Sequence, residues 1–340
     1  MYINLADTLN LASKLTFKRL NNAMRILTSF YASRWSGDAS MRGLPISLSV
    51  EPTTACNLRC PECPSGLRSF TRPTGKIAPH TFQQVIDELH ETLCYLIFYF
   101  QGEPYLHPEF LEMIRYAADK RIYTATSTNA HFLSDEMARQ TVESGLDRLI
   151  ISIDGATQAT YEAYRKEGEL EKVLEGTANI IKWKKQLKSS TPHVVWQYLV
   201  VKPNEHEIDT IQQMAREYGV DHLAFKTAQI YDYEQGNELI PTDERYSRYK
   251  QQADGTYALK HKVLDECWKM WHSAVVTWDG KVVPCCFDKD AQHTLGSVKE
   301  SSFENIWHSE AYHRFRDQLF TSRGEIEMCK NCTEGAKVWA

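Results

Sequence analysis

Short apolar runs alternate with helical patterns along the chain between residues 45 and 226. The apolar runs, interpreted as β-strands, cover 46–50, 96–100, 123–127, 149–153, 194–201 and 222–225. Between them, apolar positions with helical spacing cover 80–93, 108–120, 134–144, 170–187 and 205–218. Strands that alternate with helices indicate βα units around a parallel sheet. Because six units are too few for a closed eight-stranded barrel, we predict an α/β fold with a partial (β/α)6 barrel.

The first 43 residues are predicted to be helical. Apolar residues recur there at steps of four, three and four, which places on one stripe Leu20, Met24, Leu27 and Tyr31. Such a stripe is typical of a helix packed on the body of a protein. The alternative is an interfacial helix that rests on anionic lipid or docks a partner. The segment carries a net charge of +4 in a chain of net charge −5, which leaves −9 for the remainder.

Beyond residue 226 the alternation stops. Residues 229–266 are polar and rich in tyrosine, and they predict a linker with at most one helix. From residue 267, short β runs flank a hairpin turn signal, Asp279-Gly280, and a helix is predicted over 302–320. We therefore predict an N-terminal helical extension over 1–43, the partial barrel over 44–228, a linker over 229–266 and a small C-terminal β-hairpin/helix domain over 267–340.

Composition narrows the classes of function. A net charge of −5 implies no general affinity for nucleic acid. No window approaches the ~18 apolar residues of a membrane span, and the N-terminus lacks the pattern of a secretory signal. In such a chain, the nine cysteines are typical of metal ligands in a reducing compartment. We predict a cytoplasmic protein, with peripheral membrane contact through residues 1–43 as the alternative to a purely soluble one.

Three cysteines lie on one loop directly after the first apolar run. Cys56, Cys60 and Cys63 are too few to fill a four-coordinate zinc site, but they can hold three irons of a [4Fe–4S] cluster. The fourth iron would then stay open, and an open metal position is where chemistry takes place. Cys94 ends a predicted helix with no cysteine nearby, so we interpret it as a small buried hydrophobic residue.

The spacing Cys-x3-Cys-x2-Cys resembles the signature of the radical SAM superfamily. The resemblance implies a partial TIM-like barrel and S-adenosylmethionine bound at the open iron. It also implies reductive cleavage of that cofactor to a 5′-deoxyadenosyl radical, with Cys56, Cys60 and Cys63 as the catalytic cluster ligands. One departure is Glu62, because the residue before the third cysteine is often aromatic in this family.

Further motifs follow the second, third and fourth predicted strands. Since the ends of parallel strands meet on one rim of a barrel, these motifs should cluster there. By resemblance to the family, they imply contacts to the cofactor. The tetrapeptide that resembles the family's GGEP motif, with a glutamine first, would hold the methionyl amino group; the ribose and carboxylate contacts would come from the others. The implied cofactor-binding residues are Gln101, Gly102, Glu103, Pro104, Thr128, Asn129, Ser152 and Arg165.

A second cysteine set lies near the C-terminus: Cys267, Cys285, Cys329 and Cys332. It resembles the first half of the SPASM pattern, and thus the shortened twitch domain with one auxiliary [4Fe–4S] cluster. Four thiolates would close that cluster completely, which favours electron transfer over substrate binding. A structural zinc ribbon is the alternative. Cys286 leaves the ligand identity open, although the spacing after Gly280 favours Cys285.

Several polar residues follow the later strands and could reach a substrate. Lys226 follows the sixth strand and is the candidate general base. Gln197, Gln229 and Tyr231 are weaker candidates, because ordinary loop or core polarity explains each of them equally well.

The best interpretation is a radical SAM oxidoreductase of the dehydrogenase type. It would abstract hydrogen from an unactivated carbon of a small sugar, cyclitol or lipid-linked substrate and pass an electron to the auxiliary cluster. A flavodoxin- or ferredoxin-type protein would supply the reducing electron. One alternative is a peptide maturase that forms a crosslink or epimerises a residue, and residues 1–43 look too short for the leader-binding domain of such enzymes. Another is a non-enzymatic iron–sulfur electron carrier.

Overall fold

The computed structural model describes residues 5–332. The strands are β1 Ser47–Val50, β2 Tyr95–Ile97, β3 Tyr123–Thr128, β4 Arg148–Ser152, β5 His193–Val200, β6 His222–Thr227, β7 Tyr249–Gln251, β8 Tyr257–Leu259, β9 Ser273–Val276, β10 Lys281–Val283 and β11 Gly296–Ser297. The helices are α1 Leu5–Ser13, α2 Phe17–Ser36, α3 Pro64–Leu67, α4 Pro79–Leu89, α5 Phe110–Asp119, α6 Asp135–Glu143, α7 Gln158–Tyr164, α8 Leu170–Gln186, α9 Ile208–Tyr218, α10 Lys269–His272, α11 Phe303–Trp307, α12 Glu310–Ser322 and α13 Glu327–Lys330. Short 3-10 helices occupy Pro104–Leu106, Glu205–Glu207, Glu244–Tyr246 and Arg323–Glu325.

The predicted α/β fold class is confirmed. All six predicted strands and the five helices between them are present, with ends shifted by a few residues. The caps explain why several ends could be predicted. Ser134 accepts a hydrogen bond from Met137 N at the start of α6, and Gly219 ends α9 in the left-handed region at φ 71°.

The chain divides into two compact units. The first comprises residues 1–55, 70–124 and 263–340, and the second comprises residues 56–69 and 125–262. In the first unit, β1 pairs in parallel with β2 on one side and with β9 on the other. The hairpin of β9 and β10 continues antiparallel to β11. The predicted hairpin over residues 275–283 therefore extends the sheet that β1 begins.

A buried ion pair lies at the end of β1. The two terminal guanidinium nitrogens of Arg72, Nη2 and Nη1, donate to the Glu51 carboxylate at 2.5 and 2.7 Å. The backbone N–H of Trp278, just beyond β9, donates to the same carboxylate at 3.1 Å. Bidentate geometry of this kind satisfies a buried carboxylate that would otherwise be costly.

Helix α2 packs on the first unit through a face that combines buried polar residues with Ile26 and Phe30. The guanidinium of Arg19 donates to His90 O at 2.7 Å and to Lys120 O at 3.0 Å, and so caps the carbonyl ends of α4 and α5. Asn22 exchanges two hydrogen bonds with the backbone of Leu44, at 2.7 and 2.9 Å. Hydrogen bonds to backbone and the burial of Ile26 and Phe30, whose ring packs against Trp271, therefore fix this helix together.

The prediction that the apolar stripe of residues 1–43 packs on the body is wrong. Leu20 is 50 % exposed, Met24 57 % and Tyr31 45 %. The stripe lies opposite the packed face, which instead buries Ile26 and Phe30 together with polar side chains that bond to backbone. Residues 1–4 lie outside the described part of the chain.

The second unit contains a parallel sheet. Residues 125–128 of β3 pair with β4, β4 pairs with β5, and β5 pairs with β6. Helices α6 and α9 pack against α8 on this unit. Parallel pairing places the carboxyl ends of these strands at one edge, as the predicted βα units require.

Two predicted segments differ in detail. Residues 229–266 include the hairpin of β7 and β8, which the sequence did not signal, together with one 3-10 helix and no α-helix. The helix predicted over 302–320 is two helices, because Ser309 caps the start of α12 by accepting a hydrogen bond from Tyr312 N.

Candidate active site

The cysteine loop of the second unit lies over an apolar cluster. Cys60 is buried within this cluster, and Cys56 and Cys63 pack against it with part of their surface exposed. The cluster is built from the loop itself, from the ends of α7 and β5, from the segment after β6 and from the start of β7: Leu58, Tyr164, Val201, Ala228, Ile230, Leu239, Ile240 and Tyr249. Three thiols held on one rigid loop provide the donor set that a three-cysteine cluster site needs.

Arg165 reaches the same loop. Its guanidinium Nη1 lies 3.7 Å from Cys60 Sγ, and its Nε donates to Asp154 Oδ2 at 2.5 Å. Burial raises the pKa of the Cys60 thiol, and the positive charge of Arg165 opposes that rise. Thiol groups bind metal as thiolates, so a fixed cation beside Cys60 favours the form that binds iron.

Asp154 is a functional candidate that sequence reasoning missed. Its second oxygen accepts a hydrogen bond from Leu199 N at 2.7 Å, so it connects Arg165 to β5. Its carboxylate is almost fully buried. The signal was available, because Asp154 lies two residues after Ser152 in a segment that closes the fourth strand.

Thr128 and Asn129 end β3, and both are buried. Asn129 Nδ2 donates to Asn57 Oδ1 at 2.7 Å, which joins the end of β3 to the cysteine loop. Ala130 adopts φ 63°, and its N–H donates to the hydroxyl of Thr128 at 2.9 Å. This is a left-handed conformation that glycine adopts more readily than alanine.

The predicted site residues on the later strands share one face of the sheet in the second unit. Ser152 is in register with Gln197, and Lys226 lies two residues beyond Ala224, which is also in register with Gln197. Because alternate residues of a strand share a face, Ser152, Gln197 and Lys226 lie on the same side. Lys226 is exposed and Ser152 is buried.

Glu62, the departure in the cysteine loop, contacts the segment after β6. Its Oε2 accepts a hydrogen bond from Tyr231 N at 2.9 Å. Burial raises the pKa of Tyr231 to about 12, with Cys63 and Glu62 adding to the rise. Glu62 therefore anchors Tyr231 to the loop, which explains an acidic residue at this position.

The tetrapeptide Gln101–Pro104 lies in the first unit. Gly102 adopts φ 76°, and a Cβ there would lie 2.2 Å from Thr53 O and 2.8 Å from Ala55 O. Glu103 is buried; its N–H donates to Ala55 O at 2.7 Å, and its carboxylate accepts from Tyr105 N at 3.2 Å. The glycine therefore allows this turn to lie directly against the backbone that leads into the cysteine loop.

The four C-terminal cysteines of the first unit are all buried. Cys267 interacts with Cys332 and with Cys329, and Cys285 interacts with Cys267. Burial raises the pKa of Cys329 to about 11 and raises that of Cys267. Four buried, neighbouring thiols fit a closed cluster, because metal binding removes the protons that burial retains.

The adjacent cysteines 285 and 286 differ in their surroundings. Cys285 is buried and interacts with Cys267, whereas Cys286 is half-buried and accepts a hydrogen bond from Lys269 Nζ at 3.2 Å. These positions favour Cys285 as the cluster ligand. Cys286 would then be a separate thiol beside the Lys269 ammonium group. Cys94, which the sequence predicted to be buried, is only half-buried, and the burial that it has raises the pKa of its thiol to about 11.

Arg323 contacts the same cysteine set, and no sequence signal indicated it. Its Nη2 lies 3.5 Å from Cys332 Sγ, and its side chain also hydrogen-bonds to Cys329. Backbone carbonyls hold the guanidinium in place, with Glu266 O at 2.5 Å from Nη1. The N–H groups of Arg323 therefore face two of the four sulfurs.

Two family models match the chain. The model of the radical SAM superfamily matches residues 50–215, and that of the SPASM iron–sulfur cluster-binding domain matches residues 267–333. Together they cover more than half of the chain and include both cysteine sets. The second match shows that the zinc ribbon considered for the C-terminal cysteines is wrong.

Curated relatives align over most of the chain. The tungsten-containing aldehyde ferredoxin oxidoreductase cofactor-modifying protein of Pyrococcus furiosus is 24 % identical, over 84 % of this chain and 86 % of its own. The PqqA peptide cyclase of Bradyrhizobium diazoefficiens is 26 % identical, over 85 % and 79 %. The mycofactocin maturase MftC of Mycobacterium tuberculosis is 24 % identical, over 87 % and 80 %.

Solved structures share the fold. BtrN in complex with AdoMet and 2-DOIA has a TM-score of 0.53 at 19 % identity, covering 86 % of this chain and 95 % of its own. Streptococcus suis SuiB bound to its precursor peptide SuiA has a TM-score of 0.61 at 12 % identity, covering 92 % and 74 %.

The matches and the two cysteine sets agree on the cofactors. The radical SAM domain implies S-adenosylmethionine and a [4Fe–4S] cluster, and the SPASM domain implies auxiliary iron–sulfur binding. This chain belongs to the radical SAM superfamily and carries a C-terminal SPASM domain, which makes it a radical SAM enzyme.

Proposed function

We propose that this enzyme modifies a peptide, by forming a crosslink or by altering a residue. The observation that carries the proposal is that the alignments to the PqqA peptide cyclase and to the mycofactocin maturase run through most of both chains. This reverses the order of the two readings that the sequence suggested, in which a small-molecule dehydrogenase came first.

The residues assigned to the radical SAM cluster are Cys56, Cys60 and Cys63. When bound, the cluster and S-adenosylmethionine supply a carbon-centred radical that removes a hydrogen atom from the substrate. The chain's own contribution is to hold the three thiols on a packed loop and to place Arg165 beside Cys60. Gln101–Pro104, Thr128, Asn129 and Ser152 are proposed to bind the cofactor, and a flavodoxin- or ferredoxin-type protein is proposed as the reductant.

The residues assigned to the auxiliary cluster are Cys267, Cys285, Cys329 and Cys332. Four protein thiolates leave no open iron, so this group would accept an electron rather than bind substrate. Oxidative bond formation requires such an acceptor, because one hydrogen-atom abstraction removes only one of the two electrons.

Lys226 is the proposed proton acceptor. It is exposed on the same sheet face as Gln197 and Ser152, at the carboxyl end of β6. Its neighbour on that face is His222, whose pKa is lowered by burial and by the charges of Arg148 and Lys226.

The proposed test uses reconstituted enzyme with S-adenosylmethionine, reduced flavodoxin and short peptides encoded beside the gene. We expect 5′-deoxyadenosine to form in a peptide-dependent manner, together with a change in peptide mass measured by mass spectrometry. Cys63→Ala should abolish both products, whereas the matched Cys94→Ala should retain them. If the enzyme cleaves S-adenosylmethionine but modifies none of the peptides, the proposal is contradicted.

A small-molecule substrate is the second candidate. The relative from Pyrococcus furiosus is named for modifying a cofactor and aligns over 86 % of its length, which supports this candidate. The same assay with sugars and cyclitols in place of peptides separates the two functions. Consumption of such a compound with stoichiometric 5′-deoxyadenosine would favour the dehydrogenase-type reaction.

A further inference from the structure

We propose that α2, together with α1, docks the protein onto the surface of an anionic lipid bilayer. Among residues 5–332, eleven large apolar side chains are exposed, and seven of them lie in these two helices. The seven are Leu5, Leu9, Phe17, Leu20, Met24, Tyr31 and Trp35. This surface is independent of the substrate of the enzyme.

The exposed residues of α2 form one continuous stripe. They recur at steps of three, four, seven and four from Phe17 to Trp35, which keeps them on one side of the helix over five turns. The two ends of the stripe are its most exposed members, with Phe17 at 85 % and Trp35 at 93 %. Leu5 and Leu9 are one turn apart on α1 and are 70 % and 60 % exposed.

The opposite face of α2 is fixed by hydrogen bonds. Arg19, Asn22, Ser29 and Ser33 are buried there, and each bonds to backbone of the first unit. Rotation of the helix to bury the stripe would leave these polar groups unsatisfied, at a cost of about 1–3 kcal/mol each. The structure therefore holds the apolar stripe outward.

The charges and the side-chain types favour a lipid surface as the occupant. Lys18, Arg25 and Arg34 are exposed on α2 beside the stripe, and Arg42 is exposed in the segment that follows the helix. Lys18 and Arg34 remain 68 % and 53 % exposed although they pair with Glu91 and Glu266. The first 43 residues carry a net charge of +4 while the rest of the chain carries −9, so this segment differs from the rest in favouring an acidic surface.

Aromatic residues strengthen this assignment. Tryptophan and tyrosine favour the boundary between lipid headgroups and hydrocarbon, and Tyr31 and Trp35 lie one turn apart at the C-terminal end of the stripe. A helix that lies flat in this boundary combines an apolar face with flanking lysine and arginine. No helix within the described range is long and apolar enough to cross a bilayer.

The test is co-sedimentation of the full reconstituted enzyme with vesicles. We expect binding to vesicles that contain 30 % phosphatidylglycerol, weaker binding at high salt and little binding to pure phosphatidylcholine. The double variant Phe17→Ser/Trp35→Ser should bind at least about tenfold more weakly. The matched control Leu187→Ser/Leu264→Ser removes exposed apolar side chains elsewhere and should bind as the wild type does.

A second measurement separates a bilayer from another copy of the chain. Light scattering after size exclusion, without lipid, should give the same mass for the wild type and for Phe17→Ser/Trp35→Ser. Absence of wild-type binding to acidic vesicles would overturn the proposal, as would equal binding by the double variant. A wild-type dimer that the double variant converts to a monomer would also overturn it, because a second copy would then cover the stripe.

Discussion

Arg165 places a guanidinium nitrogen 3.7 Å from the sulfur of Cys60, and Asp154 holds it there through a buried ion pair. The three residues come from the cysteine loop, from the end of α7 and from the segment after β4. Arg165 lies 105 residues after Cys60 in the sequence, so the sequence does not indicate that the two are partners. Arg165 and Asp154 together set the charge beside this proposed cluster ligand.

Asp154→Asn should strongly destabilise the protein. The substitution leaves the buried Arg165 without its counter-charge, for which a loss of about 3–5 kcal/mol in the free energy of unfolding is typical. Urea denaturation of the cluster-free protein measures this loss. Arg139→Gln is the matched control, because it breaks only exposed ion pairs to Glu136 and Glu143 and should change the stability little. Equal losses would contradict the buried pair.

Arg323→Gln should lower the reduction potential of the auxiliary cluster. Its N–H groups face Cys332 and Cys329, and a positive charge beside cluster sulfurs favours the reduced, more negative state. We expect a shift on the order of 50 mV to more negative potential. An EPR-monitored redox titration measures it in a background of Cys56→Ala/Cys60→Ala/Cys63→Ala, which leaves the auxiliary cluster alone.

The control for that titration is Arg314→Gln. Arg314 lies on α12 and is 73 % exposed in an ion pair with Glu310, so its loss should leave the potential unchanged. A potential that moves equally in both variants would show that net charge, rather than contact with the sulfurs, is responsible.

Gly102→Ala should disrupt the turn that follows β2. A methyl group there would lie 2.2 Å from Thr53 O, in addition to the strain of φ 76°. Gly219→Ala carries a similar φ of 71° with open space around the new methyl group, so it should cost only about 1 kcal/mol. The melting temperature and the affinity for S-adenosylmethionine should both fall much further in Gly102→Ala than in Gly219→Ala.

Iron analysis of reconstituted protein tests the two cysteine sets. Two four-iron clusters predict about eight irons per chain. Cys267→Ser should reduce this to about four, whereas Cys286→Ser should leave about eight, because Cys285 is the buried cysteine that interacts with Cys267. A loss of iron in Cys286→Ser would instead identify Cys286, rather than Cys285, as the cluster ligand.

The local signals in the sequence predicted the elements of the fold. Helix ends such as Ser134 and Gly219 were correct because capping depends on residues within one turn. The spacing of Cys56, Cys60 and Cys63 is likewise local, whereas the C-terminal set, which extends over residues 267–332, was indicated by its resemblance to the SPASM pattern. The motifs at the strand ends gave the candidate cofactor residues for the same reason.

Long-range relationships could not be predicted. Arg19 is buried because it caps the ends of α4 and α5, about 70 and 100 residues away, and this reversed the expected orientation of α2. Arg323 reaches its cysteines only through the turn before α13. In both cases a charged residue satisfies buried acceptors that no periodic pattern reveals.

The pairing of β1 with β9 has a consequence for the synthesis of the chain. Ser47–Val50 is parallel to Ser273–Val276, so the first strand cannot form this pairing until a segment more than 200 residues later has been synthesised. During translation, the open edge of β1 exposes unpaired backbone groups that can capture other chains. A nascent chain halted before residue 273 should therefore aggregate or recruit chaperones, whereas release after residue 283 should allow the edge to close.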